Sequence, residues 1–302
     1  KTHLNKMLYL ILAFLPIIIN GQVLTSDLSD VLNSNGSLIK YLKEESIPFN
    51  GNVFNYYPNG QKELQGIYDK GMKNGRWVWW YPNGKKHKIG FYANSIEDNI
   101  WQWWFSNGQL MRRGSYKNGK KEGRWSEWSE EGKLAYSFGY IDDKENGKCI
   151  TRFKNGKKQS EVLYNYGIKS GIEKSWNQKG NPIYENNWKD GLRDGAQIVW
   201  GKSGLILHKH RYSKGVLHGE FIEYYDDGQK SITGNYRFGK KHGSWTYIYK
   251  DGVVALSGNY SKGIPKGSWF WIRANKSEMV NVDAPETSWV NKRIREWEKV
   301  YN

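Results

Sequence analysis

The sequence predicts an all-β protein: an elongated, single-layer antiparallel sheet of stacked β-hairpins, followed by a C-terminal amphipathic helix. Three observations carry this reading. Turn glycines stand at Gly60, Gly84, Gly108, Gly132, Gly156, Gly180, Gly204, Gly228 and Gly252, each 24 residues after the last with no insertion. Eight residues after each comes an aromatic residue: Tyr68, Tyr92, Tyr116, Tyr140, Tyr164, Trp188, Tyr212, Tyr236 and Tyr260. Two more glycine columns, as in Gly71/Gly75, Gly119/Gly123 and Gly239/Gly243, frame the connection to the next hairpin. A drift-free period of this length marks a repeat array, in which each unit packs on its neighbours alone.

The stretch Arg76–Tyr92 shows one unit: an aromatic run, an Asn-Gly turn and a second run ending on tyrosine. Such a pattern is a hairpin. Pro58-Asn59 and Pro82-Asn83 suit the two middle positions of a type I turn. Glu130-Glu131, Gln178-Lys179 and Lys202-Ser203 fit two consecutive positive φ values poorly. The expected turn is therefore type I with a Gly bulge, which requires only the glycine to be left-handed. One pattern stands unexplained in that register. Where Gly lies six residues after the turn glycine, an aromatic lies seven before it: Trp77/Gly90, Trp101/Gly114, Phe221/Gly234 and Trp245/Gly258. A type I′ register would set those two directly opposite.

Residues 1–21 read as a secretory signal peptide: Lys1 and Lys6, an apolar run Met7–Ile19 broken only by Pro16, then Asn20 and Gly21. The run is shorter than the roughly 20 residues a membrane-spanning helix needs, and no cysteine follows it for lipidation. The alternative is a retained anchor. Export predicts a periplasmic, cell-surface or secreted protein. The sequence begins on Lys1, so an initiator Met is expected upstream. Residues 22–50 form an atypical cap, in which Ser26-Asp27 opens a short helix carrying Leu28, Val31 and Leu32. Asn35-Gly36, one period before Gly60, marks a degenerate first repeat.

The array spans 51–273. Its middle is worn: Cys149, Glu173 and Gln197 hold the slot that is Trp77, Trp101, Trp125, Trp245 and Trp269 elsewhere. The column Trp80, Trp104, Trp128, Arg152, Trp176, Trp200, Tyr224, Ile248, Ile272 is steadier, lies on the opposite face by alternation, and is expected to be packing. A third column changes character: Trp79, Trp103, Glu127, Thr151, Ser175, Val199, Glu223, Tyr247, Trp271. Ligand contacts belong on a variable column of a regular scaffold, so Trp79, Trp103, Tyr247 and Trp271 are the candidate ligand-binding residues. Equivalent rings in adjacent repeats should stand roughly 10 Å apart. In residues 274–302 the period breaks. Ala284-Pro285-Glu286 opens a helix, and Val290, Ile294, Trp297 and Tyr301 then form an apolar stripe that would cover the last sheet edge or lie on the sheet.

The run Tyr-x-x-Gly-x-x-x-Gly-x-Trp-x-x-Trp-Tyr-x-Asn-Gly, complete from Tyr68 to Gly84, resembles the MORN repeat and, more closely, its bacterial variant. The resemblance covers about three quarters of the chain in nine registered copies. It implies a twisted antiparallel sheet of hairpins, and it brings no catalytic residues. Many bacterial variants are labelled the antitoxin component of a toxin–antitoxin pair, which sits badly with a signal peptide. MORN repeats are also associated with protein scaffolding and acidic phospholipids.

No catalytic motif or phosphate loop is present, so no enzymatic activity and no cofactor are expected. The single cysteine, Cys149, excludes an internal disulfide and is expected to be an ordinary semi-buried residue. His208, His210, His218 and His242 are the histidine cluster of note. His218 and His242 hold equivalent positions roughly 10 Å apart, too far to share a metal. All four are expected to be solvated loop residues, and no metal site is expected. The acidic loop Asp142-Asp143-Lys144-Glu145 lacks a calcium-ligand pattern and reads as a solvated turn.

The net charge of +16 is spread over turn and loop lysines such as Lys85-Lys86 and Lys120-Lys121. Interleaved aromatics could hold single-stranded nucleic acid, but an exported protein rarely meets it. Another envelope protein is the expected partner, with anionic glycan or acidic-lipid headgroups as alternatives and an antitoxin-like role as a third. Lysines that simply keep a Trp-rich sheet soluble explain the charge equally well.

Overall fold

The computed structural model of the protein describes residues 22–273, 276–282 and 287–301. The expected signal peptide, residues 1–21, lies outside the described residues, as does the expected helix start at Ala284-Pro285-Glu286.

Each hairpin follows from its turn. In the first repeat Tyr57 N–H donates to Gln61 O at 2.8 Å and Gly60 N–H donates to Tyr57 O at 2.9 Å. Gly60 has φ 81°, while Pro58 and Asn59 keep negative φ. This is the expected type I turn with a left-handed glycine. The Asn59 side chain adds two bonds: its Oδ1 accepts from Gln61 N–H, and its Nδ2 donates to Pro82 O of the next turn. Asn83, Asn107 and Asn155 do the same, so successive turns are tied side chain to backbone.

The second connection is tighter than a glycine-framed loop. Asp69 pairs with Met72, and only Lys70 (φ 49°) and Gly71 (φ 73°) lie between them. Both are left-handed, as a type I′ turn demands. Past the turn the ladder shifts between Gln65 and Ile67, where Gly75 marks the bulge.

The unexplained Trp/Gly pattern resolves here. A second bulge, between Trp79 and Trp80, shifts the register of the type I hairpin by one residue. Trp77 thereby stands directly opposite Gly90, Trp101 opposite Gly114, Phe221 opposite Gly234 and Trp245 opposite Gly258. Each such glycine is also roofed by the indole that follows it. A Cβ at Gly66 would lie 2.1 Å from the Trp77 ring, and one at Gly90 2.3 Å from the Trp101 ring. The indole N–H donates to the next carbonyl, Trp77 to Ile67 O and Trp101 to Phe91 O, both at 3.2 Å. The glycine is needed because the ring lies flat on the backbone. Where the indole is absent the glycine is absent too, in Phe138/Cys149, Val162/Glu173, Asn186/Gln197 and His210/Phe221.

Among the described residues 22 strands share an open sheet, and all pairs but the first run antiparallel between neighbours in sequence. The chain divides into two compact units, residues 1–144 and 145–302. In the first, Gln22–Leu24 pairs in parallel with Gly51–Tyr56, and the sheet continues through Leu134–Ile141. In the second, antiparallel strands run from Gly147–Arg152 to Ile264–Arg273. Lys276–Val282 adds one more strand, which the broken period had concealed.

The segment after Ser26-Asp27 corrects the sequence reading. Thr25–Asp27 makes a single 3-10 turn, and Leu28–Leu32 is a strand paired with Leu38–Leu42, not a helix. Five residues before a turn glycine cannot sustain a helix. The Asn33–Ser37 turn repeats the Tyr57–Gln61 hydrogen bonds one period earlier. Val23, Leu28 and Phe49 then pack with Val53, Tyr68 and Trp77.

The packing column also needs correction. Trp80, Trp104, Trp128, Trp176 and Trp200 are only half-buried, whereas Trp77 is 2 % exposed and Trp125 1 %. Trp80 sits beside the turn with Lys62 near its ring, while Trp77 sits mid-strand over glycine. Cys149 and Glu173 inherit the buried slot at 1 % and 8 % exposure. Glu173 is buried with partners: Lys169 Nζ at 2.7 Å, Trp188 Nε1 at 2.8 Å and Asn186 Nδ2 at 3.3 Å. Burial alone would raise its pKa. The three hydrogen bonds outweigh that and hold the carboxyl below the ordinary range.

Candidate ligand-binding face

Trp77 and Trp79 share a face because they are two residues apart on one strand. The bulged register brings the next repeat's Trp101 against Trp79, and a stacked row results. Trp77–Trp79, Trp79–Trp101, Trp101–Trp103 and Trp103–Trp125 have ring centroids 5.8, 6.1, 5.7 and 5.8 Å apart. Tyrosines of the period column meet the row edge-on, Tyr68 on Trp77, Tyr92 on Trp101 and Tyr116 on Trp125. Burial pushes the Tyr92 phenol up to about 12, with the Glu97 charge adding to the shift.

The MORN repeat variant profile matches residues 49–70, 73–94, 97–118 and 217–237. These four segments are MORN-variant repeats. The matched segments include the Tyr68, Tyr92, Tyr116 and Tyr236 slots, and the worn repeats between 118 and 217 are not matched. No curated protein matches the sequence. Among solved structures, TcdB2-TccC3 in complex with Cdc42 aligns over 86 % of this chain at 9 % identity and a TM-score of 0.19. The chain spans 16 % of that protein's length. A porin-like protein from Bacteroides uniformis aligns over 79 % of this chain and 90 % of its own, at 7 % identity and a TM-score of 0.15. Neither likeness bears on function.

The four expected ligand residues do not share one environment. Trp79 and Trp103 are half-buried in the indole row of the first unit. Tyr247 is 1 % exposed and Trp271 5 %, which corrects the expectation of a second exposed pair. The helix α1, Thr287–Tyr301, lies over them. Its Trp297 ring meets Tyr247 at 5.4 Å and donates to Ile248 O at 3.2 Å. Val290 is fully buried, and Arg293 stands over Trp271 at 4.0 Å while bonding Glu278 and Glu296. Burial drives the Tyr247 phenol far above its ordinary value.

Sequence reasoning missed the cations between the rings. Lys88 pairs across the strands with both Trp79 and Trp103, and Arg112 pairs with Trp103. The Lys88 ammonium is 4.0 Å from the Trp79 ring centre and 5.6 Å from that of Trp101, and Arg112 is 5.2 Å from Trp103. Lys73 lies over Trp77 at 4.9 Å. Burial, helped by the Lys73 charge, lowers the Lys88 pKa, and burial lowers that of Lys73. A signal existed: Lys88 and Arg112 occupy the column four residues after the turn glycine, opposite the variable column. Arg112 already has a carboxylate partner in Glu127, whereas Lys88, resting on aromatic faces and partly stripped of water, gains from an added one.

The histidines also need correction. None of the four is a loop residue: His218 lies in Val216–Tyr224, His242 in Lys240–Ile248, and His208 and His210 in Ile206–Ser213, two residues apart on one face. His208 pairs with Glu223, and His210 with Phe221. Among the described residues, no helix is long and apolar enough to cross a membrane.

Proposed function

We propose that this MORN-variant protein is an exported, non-enzymatic scaffold that binds another envelope protein through the face formed by Trp79, Lys88, Trp103 and Arg112. One observation carries the reading: the chain's own helix α1 docks on the equivalent columns of the second unit. There an apolar edge and an indole settle onto Tyr247 and Trp271. Glu298 of the helix acts on Lys241, raising the pKa that burial lowers. In the first unit Lys73 holds the position of Lys241, and among the described residues no helix packs on Trp79 and Trp103. An amphipathic segment with carboxylates flanking an aromatic or aliphatic anchor fits it.

Stacked sugar rings fit less well. Both flanks of Trp79 are already occupied, by Trp77 and Trp101 at interplanar angles of 30° and 28°. The export half of the proposal rests on the Lys6, Met7–Ile19, Gly21 pattern. Cross-linking in the native host, followed by fractionation and mass spectrometry, tests both halves. The wild type should carry a protein partner in the envelope fraction, starting after residue 21, and a K88E/R112E variant of equal melting temperature should lose it. A partner retained by the variant refutes the face, and a cytosolic protein with residues 1–21 intact refutes export.

A further inference from the structure

His208, His210 and Glu223 bring three metal-ligand atoms together on one face of two adjacent strands. Glu223 Oε1 is 3.6 Å from His208 Nδ1 and 3.7 Å from His210 Nε2, and all three ligand atoms lie within 4.8 Å of one another. We propose that this trio is a binding site for a divalent transition ion of the zinc class.

The spacing is the first argument. Zinc holds nitrogen and oxygen ligands at about 2.0–2.2 Å, so tetrahedral ligand atoms stand about 3.4 Å from one another. The two histidine–glutamate separations are within a few tenths of an ångström of that value. Two imidazoles and one carboxylate also make a donor set that selects transition ions over calcium or magnesium.

The second argument is unsatisfied polarity. His208 Nδ1 and His210 Nε2 are both shielded from water and have no hydrogen-bond partner among the described residues. Buried polar nitrogens are normally paired. The separations to Glu223 are too long for hydrogen bonds and correct for atoms that share a cation. The rest of the His208 side chain is 37 % exposed, so the site lies close to the surface. The neighbouring Lys241 ammonium is bonded to Tyr247 Oη at 2.8 Å.

The third argument is position. This repeat carries His210 where five others have the roofed glycine, and Phe221 where they have the indole. The His210 ring lies flat on Phe221, 4.0 Å between centroids and 7° between planes, which fixes its orientation. The indole-to-carbonyl bond that ties adjacent strands elsewhere is therefore missing here. A metal held by Ile206–Ser213 on one side and Val216–Tyr224 on the other restores a tie at the same place.

The test uses the full chain, stripped with chelator and desalted, then titrated with Zn²⁺ against a competing chromophoric chelator. The wild type should bind one Zn²⁺ per chain, and Co²⁺ should give the intense visible bands of a four-coordinate complex. H208Q and E223Q, both at partly exposed positions, should each weaken Zn²⁺ at least tenfold with near-ultraviolet circular dichroism unchanged. H242Q should bind as the wild type does. Failure of the wild type to bind Zn²⁺ at millimolar concentration overturns the proposal. Binding left intact in both H208Q and E223Q overturns it equally, because the metal is then held elsewhere.

Discussion

Gly90→Ala should destabilise the protein, although alanine in a strand is ordinarily about 0.5–1 kcal/mol better than glycine. The added Cβ would lie 2.3 Å from Cδ2 and Cε2 of Trp101 and 2.4 Å from Cε3. Ordinary carbon contacts begin near 3.5 Å, so the ring must retreat by about 1.2 Å (3.5 − 2.3). It has nowhere to go. Trp79 and Trp103 stack on it at 6.1 and 5.7 Å, and Tyr92 and Tyr116 close its edges at 5.1 and 5.9 Å. Expelling the indole also breaks its bond to Phe91 O. Removal of a buried Trp costs about 3–5 kcal/mol, which bounds the effect from above, so about 2–4 kcal/mol is expected. The double variant G90A/W101A should cost clearly less than the sum of the two single changes, because the ring that clashes is gone. Urea unfolding followed by tryptophan fluorescence and hydrogen exchange reads all three. A neutral or stabilising G90A, or strict additivity in the cycle, would refute the locked-glycine reasoning.

Glu173→Gln tests the worn middle. The depressed folded pKa means the carboxylate stabilises fully above the ordinary value near 4.3 and loses its contribution as pH falls through the folded value. The variant should lose about 1–3 kcal/mol at pH 7, from a buried donor left unpaired, and the gap to wild type should close toward pH 3. A gap that widens on acidification would sink the assignment. Trp297→Ala should undock α1, at a cost of about 3–5 kcal/mol, because a 15-residue helix is marginal without its packing. Limited proteolysis should then cut within 287–301, and a helix as protected as in the wild type would show that Trp297 does not hold it.

The sequence by itself determined the period, the turn type and the aromatic slots. These depend on local rules: a glycine eight residues before a tyrosine, a type I turn with one left-handed residue, and alternation along a strand. It even displayed the Trp77/Gly90 coincidence, whose cause lay beyond local rules. The cause is a second bulge, between Trp79 and Trp80, that shifts the whole ladder by one residue. No turn propensity encodes that shift. The same shift recurs where the slot holds Cys149, Glu173, Gln197 or Phe221, so it belongs to the hairpin ladder and not to the indole.

The same limit explains the misjudged site. Column variability pointed to Trp79, Trp103, Tyr247 and Trp271 alike, because all four hold one position in the period. Only tertiary structure separates them, by laying α1 over the second pair. The partners of Lys88 and His208 were hidden for a related reason: each meets its partner across strands, at Trp79 and at Glu223. Repetition in the chain dictates which positions are equivalent. Which of them are covered, paired or left open is decided by contacts across strands, such as Trp79 with Lys88 and His208 with Glu223, and these exist only once the ladder has its register.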